Sequence, residues 1–198
     1  MKLIHPTLLV AIACTLLAAP IAAQNVAVSK TAFQSSTFGS LYGPGVAVDG
    51  NTNAVYNWTH TNSDYNAWWY VDLGATFDIS SIHILNRADG YGFRLSNYFV
   101  AILADGTSSV GDFNAPFVAA LYNAGTAGLE ETWTTGGKAG RYVKVQFNNH
   151  ADYLSLAEVE VTGVEVSATP EPESLALLGT GLVGVVGVAR RKRNSMAA

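Results

Sequence analysis

Four side chains in the middle of the chain have the types and spacing to grip a ligand rich in oxygen. His60 stands in Thr59-His60-Thr61. After twenty-six intervening residues come Arg87-Ala88-Asp89, then Arg94 beyond Gly90-Tyr91-Gly92-Phe93. An arginine presents a planar fork of N–H donors that keeps its charge, and the hydroxyl oxygens of a neutral sugar accept such bonds. Two guanidiniums held close repel each other, so Asp89 is placed to accept from one or both. Arg87 and Asp89 share a face if their strand runs on through them. Gly90 and Gly92 permit a tight return that brings Arg94 back beside Arg87. A neutral His60 adds a donor or an acceptor from another loop. Taken alone, an Arg-x-Asp-x4-Arg run reads as a surface ion-pair cluster, and a lone histidine as a structural one. His83, inside an apolar strand, has that structural reading.

The elements that must position these groups are strands. Trp68–Leu73, Ile79–Asn86, Asn97–Leu103, Phe117–Tyr122, Arg141–Asn148 and Leu154–Val161 are short runs rich in β-branched and aromatic residues. Several alternate, with Ile82 and Ile84, Val143, Val145 and Phe147, or Val159 and Val161 each on one face. Asp89-Gly90, Asp105-Gly106 and Thr135-Gly136-Gly137 read as turns between them. No long amphipathic helix and no internal repeat interrupts this pattern. The predicted class is all-β, a sandwich with the Trp68-Trp69 pair in its core.

Both ends of the chain carry addresses. Lys2, the apolar stretch Leu8–Leu17 and Pro20-Ile21-Ala22-Ala23 have the layout of a secretory signal peptide, which predicts cleavage after Ala23. The alternative is an uncleaved N-terminal anchor. At the other end, Thr169-Pro170-Glu171-Pro172-Glu173-Ser174 precedes an apolar run, Leu175 to Ala189, and the basic stop Arg190-Arg191-Lys192-Arg193. Fifteen residues rise about 22 Å as a helix, against roughly 30 Å of hydrocarbon core. The basic cluster biases the run to stop with its end in the cytoplasm. This tripartite tail resembles the PEP-CTERM sorting signal, which implies an exosortase-type processing enzyme and transient membrane insertion through a single apolar helix. The expected organisation is 1–23 signal peptide, 24–166 sandwich domain and 167–198 sorting tail. The protein is then exported to the cell surface or extracellular matrix of a bacterium, tethered to the membrane before processing.

The domain between these signals is acidic. It holds six Lys/Arg and thirteen Asp/Glu, a net charge of −7, where the whole chain has −4. Without a basic stripe it is a poor partner for nucleic acid or anionic lipid. The one cysteine, Cys14, belongs to the signal peptide, so the mature domain has no disulfide, thiolate ligand or thiol nucleophile.

In order along the chain, Asn25–Lys30 with Gln34-Ser35-Ser36, Ala47–Thr52, Trp68–Gly74 and Tyr153–Val159 resemble the discoidin-like jelly-roll β-sandwich. With His60, Arg87, Asp89 and Arg94 the chain resembles the F-type lectins, a fucose-binding branch of that fold. The resemblance implies a non-catalytic lectin for L-fucose, a fucosylated glycan or extracellular polysaccharide. A structural or adhesive matrix protein with another ligand is the alternative. Where the family has two adjacent cysteines against the sugar ring, this chain has Gly90-Tyr91. Tyr91 then supplies the stacking face, and Phe93 or Trp58 lines the pocket for the sugar's methyl group. The resemblance also implies a structural Ca²⁺ held by Asp49, Asn51 and Glu158, oxygen donors suited to a hard cation.

Overall fold

The computed structural model describes residues 23–166. Residues 1–22 and 167–198, which carry the export signal and the sorting tail with its expected apolar helix, lie outside them. Nine strands are present among the described residues: β1 Gln24–Asn25, β2 Thr31–Gln34, β3 Ser63–Tyr65, β4 Trp68–Leu85, β5 Ser96–Leu103, β6 Ala119–Thr126, β7 Glu130–Phe147, β8 Ala151–Tyr153 and β9 Glu158–Glu165. All pairings are antiparallel.

Two strands of eighteen residues, β4 and β7, run through both layers of the sandwich. Their halves nearer Trp68 and Phe147 build one layer in the order β2-β4-β7-β5-β6. Their other halves build the second, in the order β7-β4-β9-β1. The change of layer falls where the β4–β7 register shifts between Asp72 and Phe77. Gly74 sits in that break at φ +86°, and its N–H donates to Asp72 Oδ1 at 2.8 Å. An L side chain is strained at this φ, so glycine takes the bend.

Three expectations about the strands are corrected here. Trp68–Leu73 and Ile79–Asn86 are one strand, because the residues between them bulge without leaving the ladder. Thr135-Gly136-Gly137 is not a hairpin turn. It is an irregularity inside β7, with both glycines at positive φ, and β7 begins eleven residues before Arg141. The missed half is rich in Glu, Thr and Gly, and its burial alternates because only one face meets the core. Leu154–Ala157, expected as the start of a strand, is an irregular buried segment between β8 and β9.

The core lies between the layers. Trp69, Val71 and Leu73 of β4 meet Val143, Val145 and Phe147 of β7, and across the sandwich Ile79, Ile82, Val159 and Val161. Trp69 is fully buried as expected. Trp68 is only half-buried and stacks on Tyr70 at 5.4 Å on the outer face. The adjacent tryptophans therefore face opposite ways, as successive strand residues must. Trp69 Nε1 donates to Pro44 O at 2.9 Å, pinning the 3₁₀ turn Pro44–Val48 to the core. His83 is structural, with Nδ1 3.2 Å from Glu160 on the neighbouring strand.

A Trp69→Phe substitution keeps most of the ring but leaves the Pro44 carbonyl without its donor. It should lower the unfolding free energy by about 1–3 kcal/mol, read as a lower urea midpoint at unchanged slope.

Candidate functional site

Arg87 lies two residues beyond the end of β4, whose last residue, Leu85, is flanked by Glu130 and Glu158 in the ladders. Between them Asn86 acts as a staple. Its Oδ1 accepts from Arg87 N at 2.9 Å, and its Nδ2 donates to Gly92 O at 2.9 Å and Gly128 O at 3.1 Å. Gly92 comes so close that a Cβ there would lie 2.8 Å from Arg87 O. Only glycine lets the loop fold back this tightly, and the return carries Arg94 toward Arg87.

His60 is placed by a different device. Thr59 N donates to Leu156 O at 2.8 Å and Thr61 N to Leu154 O at 3.0 Å. In return Leu154 N donates to Thr61 Oγ1 at 2.9 Å and Leu156 N to Thr59 Oγ1 at 3.1 Å. Thr59-His60-Thr61 is thus zipped to Leu154-Ser155-Leu156 with the imidazole between two buried threonines.

These segments bring His60, Arg87 and Arg94 together through a closed ring of aromatic contacts. The Arg87 guanidinium carbon is 4.5 Å from the Trp58 ring centre and 5.2 Å from that of Tyr91. Arg94 is 4.6 Å from Tyr91 and 4.8 Å from Tyr153. Tyr153 lies 5.1 Å from His60, His60 5.7 Å from Tyr42, and Tyr42 6.3 Å from Trp58. Tyr91 therefore touches both guanidiniums, and cation–π attraction helps to hold the two like charges near one another.

Asp89 takes Arg87 alone. Its two oxygens receive Nε at 2.7 Å and NH2 at 2.5 Å, and this fork holds its carboxyl below the usual carboxylate range. The remaining Arg87 nitrogen, NH1, donates to the buried Ser155 hydroxyl at 3.2 Å. Arg94 faces a different carboxylate, Asp152 of β8, at 3.9 Å. Asp89 was expected to accept from one arginine or both, and it takes one: a spacing of two residues closes a local fork. The β3–β8 ladder delivers Asp152 to Arg94 from afar.

The imidazole is neutral at pH 7. Burial, the largest effect, lowers its pKa from 6.5; the Thr61 carbonyl opposes it, and the charges of Arg87 and Arg94 lower it further against Asp89. Nδ1 lies 2.7 Å from Thr61 O, which can only accept, so Nδ1 carries the proton and Nε2 keeps its lone pair. The ring thus presents donors from two arginines and one acceptor from histidine. Phe38, exposed and 4.8 Å from His60, adds an apolar wall that spacing did not reveal. Trp58 lies against Arg87, whereas Phe93 is 61% exposed with its ring 6.3 Å from that of Tyr91.

Residues 46–145 match the family described as NedA-like, galactose-binding domain. Fucolectin-1 of Anguilla japonica is 32% identical over 148 residues, which cover 71% of this chain and 82% of that protein. The chain belongs to the fucolectin family. Among solved structures, the lectin domain of lectinolysin complexed with Lewis B antigen superimposes at a TM-score of 0.62 with 37% identity, covering 71% of this chain and 97% of that one. A Streptococcus pneumoniae fucose binding module does so at 0.63 with 34% identity, over 71% and 95% respectively. Residues 168–193 match the PEP-CTERM protein-sorting motif.

In this fucolectin-family domain the expected cation ligands lie at one corner beside the ring. Asp49 closes the 3₁₀ turn and Asn51 follows it; Asp49 Oδ1 accepts from Asn51 N at 2.8 Å. Glu158, 1% exposed, reaches them from β9: its Oε1 accepts from Gly50 N at 3.2 Å, while the buried Oε2 has no hydrogen-bond partner. Asn57, absent from the expected set, donates through Nδ2 to both Asp49 oxygens and to Asn51 O at 3.2–3.3 Å. Its amide occupies the middle of an oxygen cluster, where a cation would be attracted. Among the described residues no three His, Cys, Asp or Glu side chains gather at one point, so amide and carbonyl oxygens would have to complete the set.

Burial, with Asp49 and Glu160 nearby, pushes the Glu158 carboxyl from 4.5 up to about 7. A pKa raised by folding adds stability that is complete below 4.5 and is lost as pH rises through about 7. His60, lowered, works oppositely, its stability falling away as pH drops below 6.5. In chelator the unfolding free energy, read from urea titrations, should therefore fall by up to about 3 kcal/mol as pH rises from 4.5 to about 7. Glu158→Gln should flatten that window while leaving the His60 limb in place.

Proposed function

We propose that this domain binds L-fucose or the fucose end of a glycan, without catalysis, at the ring formed by His60, Arg87, Tyr91 and Arg94. The carrying observation is the pairing of two guanidinium donors with an imidazole whose free nitrogen accepts. A sugar hydroxyl both accepts and donates, so adjacent hydroxyls can bridge an arginine and Nε2 at once. Asp89 positions Arg87 and is spent in that fork. The fork holds its carboxyl ionised, so it has no proton to give a leaving group, which supports binding over hydrolysis. Tyr91 takes the stacking face, and Phe38 with Trp58 offers apolar surface to a methyl group. The relatives named for fucolectin and fucose binding support the choice of sugar.

A hard cation such as Ca²⁺ would be held by Asp49, Asn51 and Glu158, with Asn57 turning its amide oxygen inward. The orphaned Glu158 oxygen supports this reading. A bound cation would supply charge balance to that carboxylate and rigidity to the loop bearing Trp58 and His60. The sorting motif supports export to a bacterial surface and processing by an exosortase. There, weak single-site affinity, on the order of −4 to −8 kcal/mol, would be raised by many sites acting together.

Arg94→Lys keeps the charge but loses the fork, and should cost about 1.5–3 kcal/mol, enough to abolish retention on immobilised fucose. A glycan array probed with the unsubstituted protein should light up fucosylated glycans. No fucosylated hit would leave the matrix-protein reading, and full retention by Arg94→Lys would remove Arg94 from the site. Added Ca²⁺ should raise the thermal midpoint, a chelator should reverse that, and Glu158→Gln should no longer respond.

A further inference from the structure

Residues 113–129 contain no ionisable group with a formal charge at pH 7, in a domain of net charge −7. They form the outermost strand of the five-stranded layer and its approaches. Among the described strands, β6 pairs with β5 alone, which leaves the outer row of its backbone N–H and C=O groups without a ladder partner. The strand's flanks are apolar on both faces. On the outer face Phe99, Phe113, Phe117 and Tyr122 line a groove of about 460 Å³, and Phe117 and Tyr122 are each more than half exposed. On the other face Leu121, 44% exposed, lines a small cleft with Trp133.

Edges of this kind are normally blunted by a charge, by a proline within the strand or by a covering segment. The strand Ala-Ala-Leu-Tyr-Asn-Ala-Gly-Thr has no charge and no proline. We infer that β6 is a self-association edge, pairing antiparallel with β6 of a second copy so that the two five-stranded layers become one continuous sheet. Two observations select a second copy over another partner. Copies of a domain with net charge −7 repel each other through most approaches, and an uncharged face is where they can meet at least cost. An antiparallel strand pair is also self-complementary about a two-fold axis, so one surface serves both partners. The apolar groove beside the strand would be closed in the same step. The dimer does not depend on what the ring around His60 binds.

The test uses the full chain in mild detergent with Cys14→Ser, which leaves no other cysteine. Ala124→Cys, on the exposed edge, should give a covalent dimer with a short bis-maleimide, whereas Lys138→Cys on β7 should not. Sedimentation should show twice the subunit mass. Ala120→Lys, in the groove, should weaken self-association about tenfold or more, with circular dichroism and unfolding midpoint unchanged. The milder Phe117→Ser should weaken it in the same direction. A monomer at all concentrations, equal cross-linking from positions 124 and 138, or a dimer untouched by Ala120→Lys would each overturn the assignment.

Discussion

The site depends on the docking of Thr59-His60-Thr61 against Leu154-Ser155-Leu156. Four hydrogen bonds, two through backbone carbonyls and two through threonine hydroxyls, join segments that belong to no regular strand. Each is worth only about 1 kcal/mol net, yet leaving any one buried and unmade costs more than making it gains. Buried Leu154 and Leu156 anchor one side of the zipper in the core. The alternate residues then have no freedom left. Ser155 meets Arg87, and the neighbour at the start of the segment, Tyr153, lies between His60 and Arg94. One junction thus sets the positions of an acceptor and of partners for both donor forks.

Charge is the second constraint. Arg87 is buried, and a buried cation is tolerated only with a well-made partner. The bidentate fork to Asp89 provides that partner and leaves the net charge of this pair at zero. Arg94 is more exposed and loosely paired with Asp152, so most of the field directed at a ligand comes from it. Tyr91 lies between the two guanidiniums, in the place where the resembled family has a cysteine pair. An aromatic ring there screens the like charges through its π-face, and under the proposed function it would also offer a flat surface to a sugar ring.

How much could be read beforehand follows the range of each interaction. Strands with clean alternation, such as Val143–Phe147, were legible because one face meets the core. The first half of β7 was not, since Thr135-Gly136-Gly137 has the chemistry of a turn and only the register with β4 makes it a bulge. The local Arg87–Asp89 fork could be read from its spacing, but Asp152 could not: fifty-eight positions separate it from Arg94 in the sequence. Asn86, Asn57 and Phe38 were missed for a related reason. Asparagine in a loop is ordinary, and only coordinates reveal that Asn86 staples two carbonyls or that Asn57 sits among three oxygens. The resemblance supplied Glu158 as a ligand; its burial and orphaned oxygen are properties of the fold.

The corner formed by Asp49, Asn57 and Glu158 and the ring are mechanically one unit. Glu158 stands opposite Leu85 in the ladder, Ala157 N donates to Leu85 O at 2.8 Å, and Arg87 comes two residues after Leu85. From the other side, Asn57 holds Asp49 and immediately precedes Trp58, the ring that lies over Arg87. An ionised Glu158 with nothing to neutralise it is costly in so dry a place, and the cost would be relieved by protonation, by a cation, or by movement of the Asp49–Asn57 loop. Only the first two leave Trp58 where Arg87 needs it. If the proposed cation is held there, its occupancy would be coupled to the shape of the ring across a few residues, with no need for any change in the sandwich beneath them.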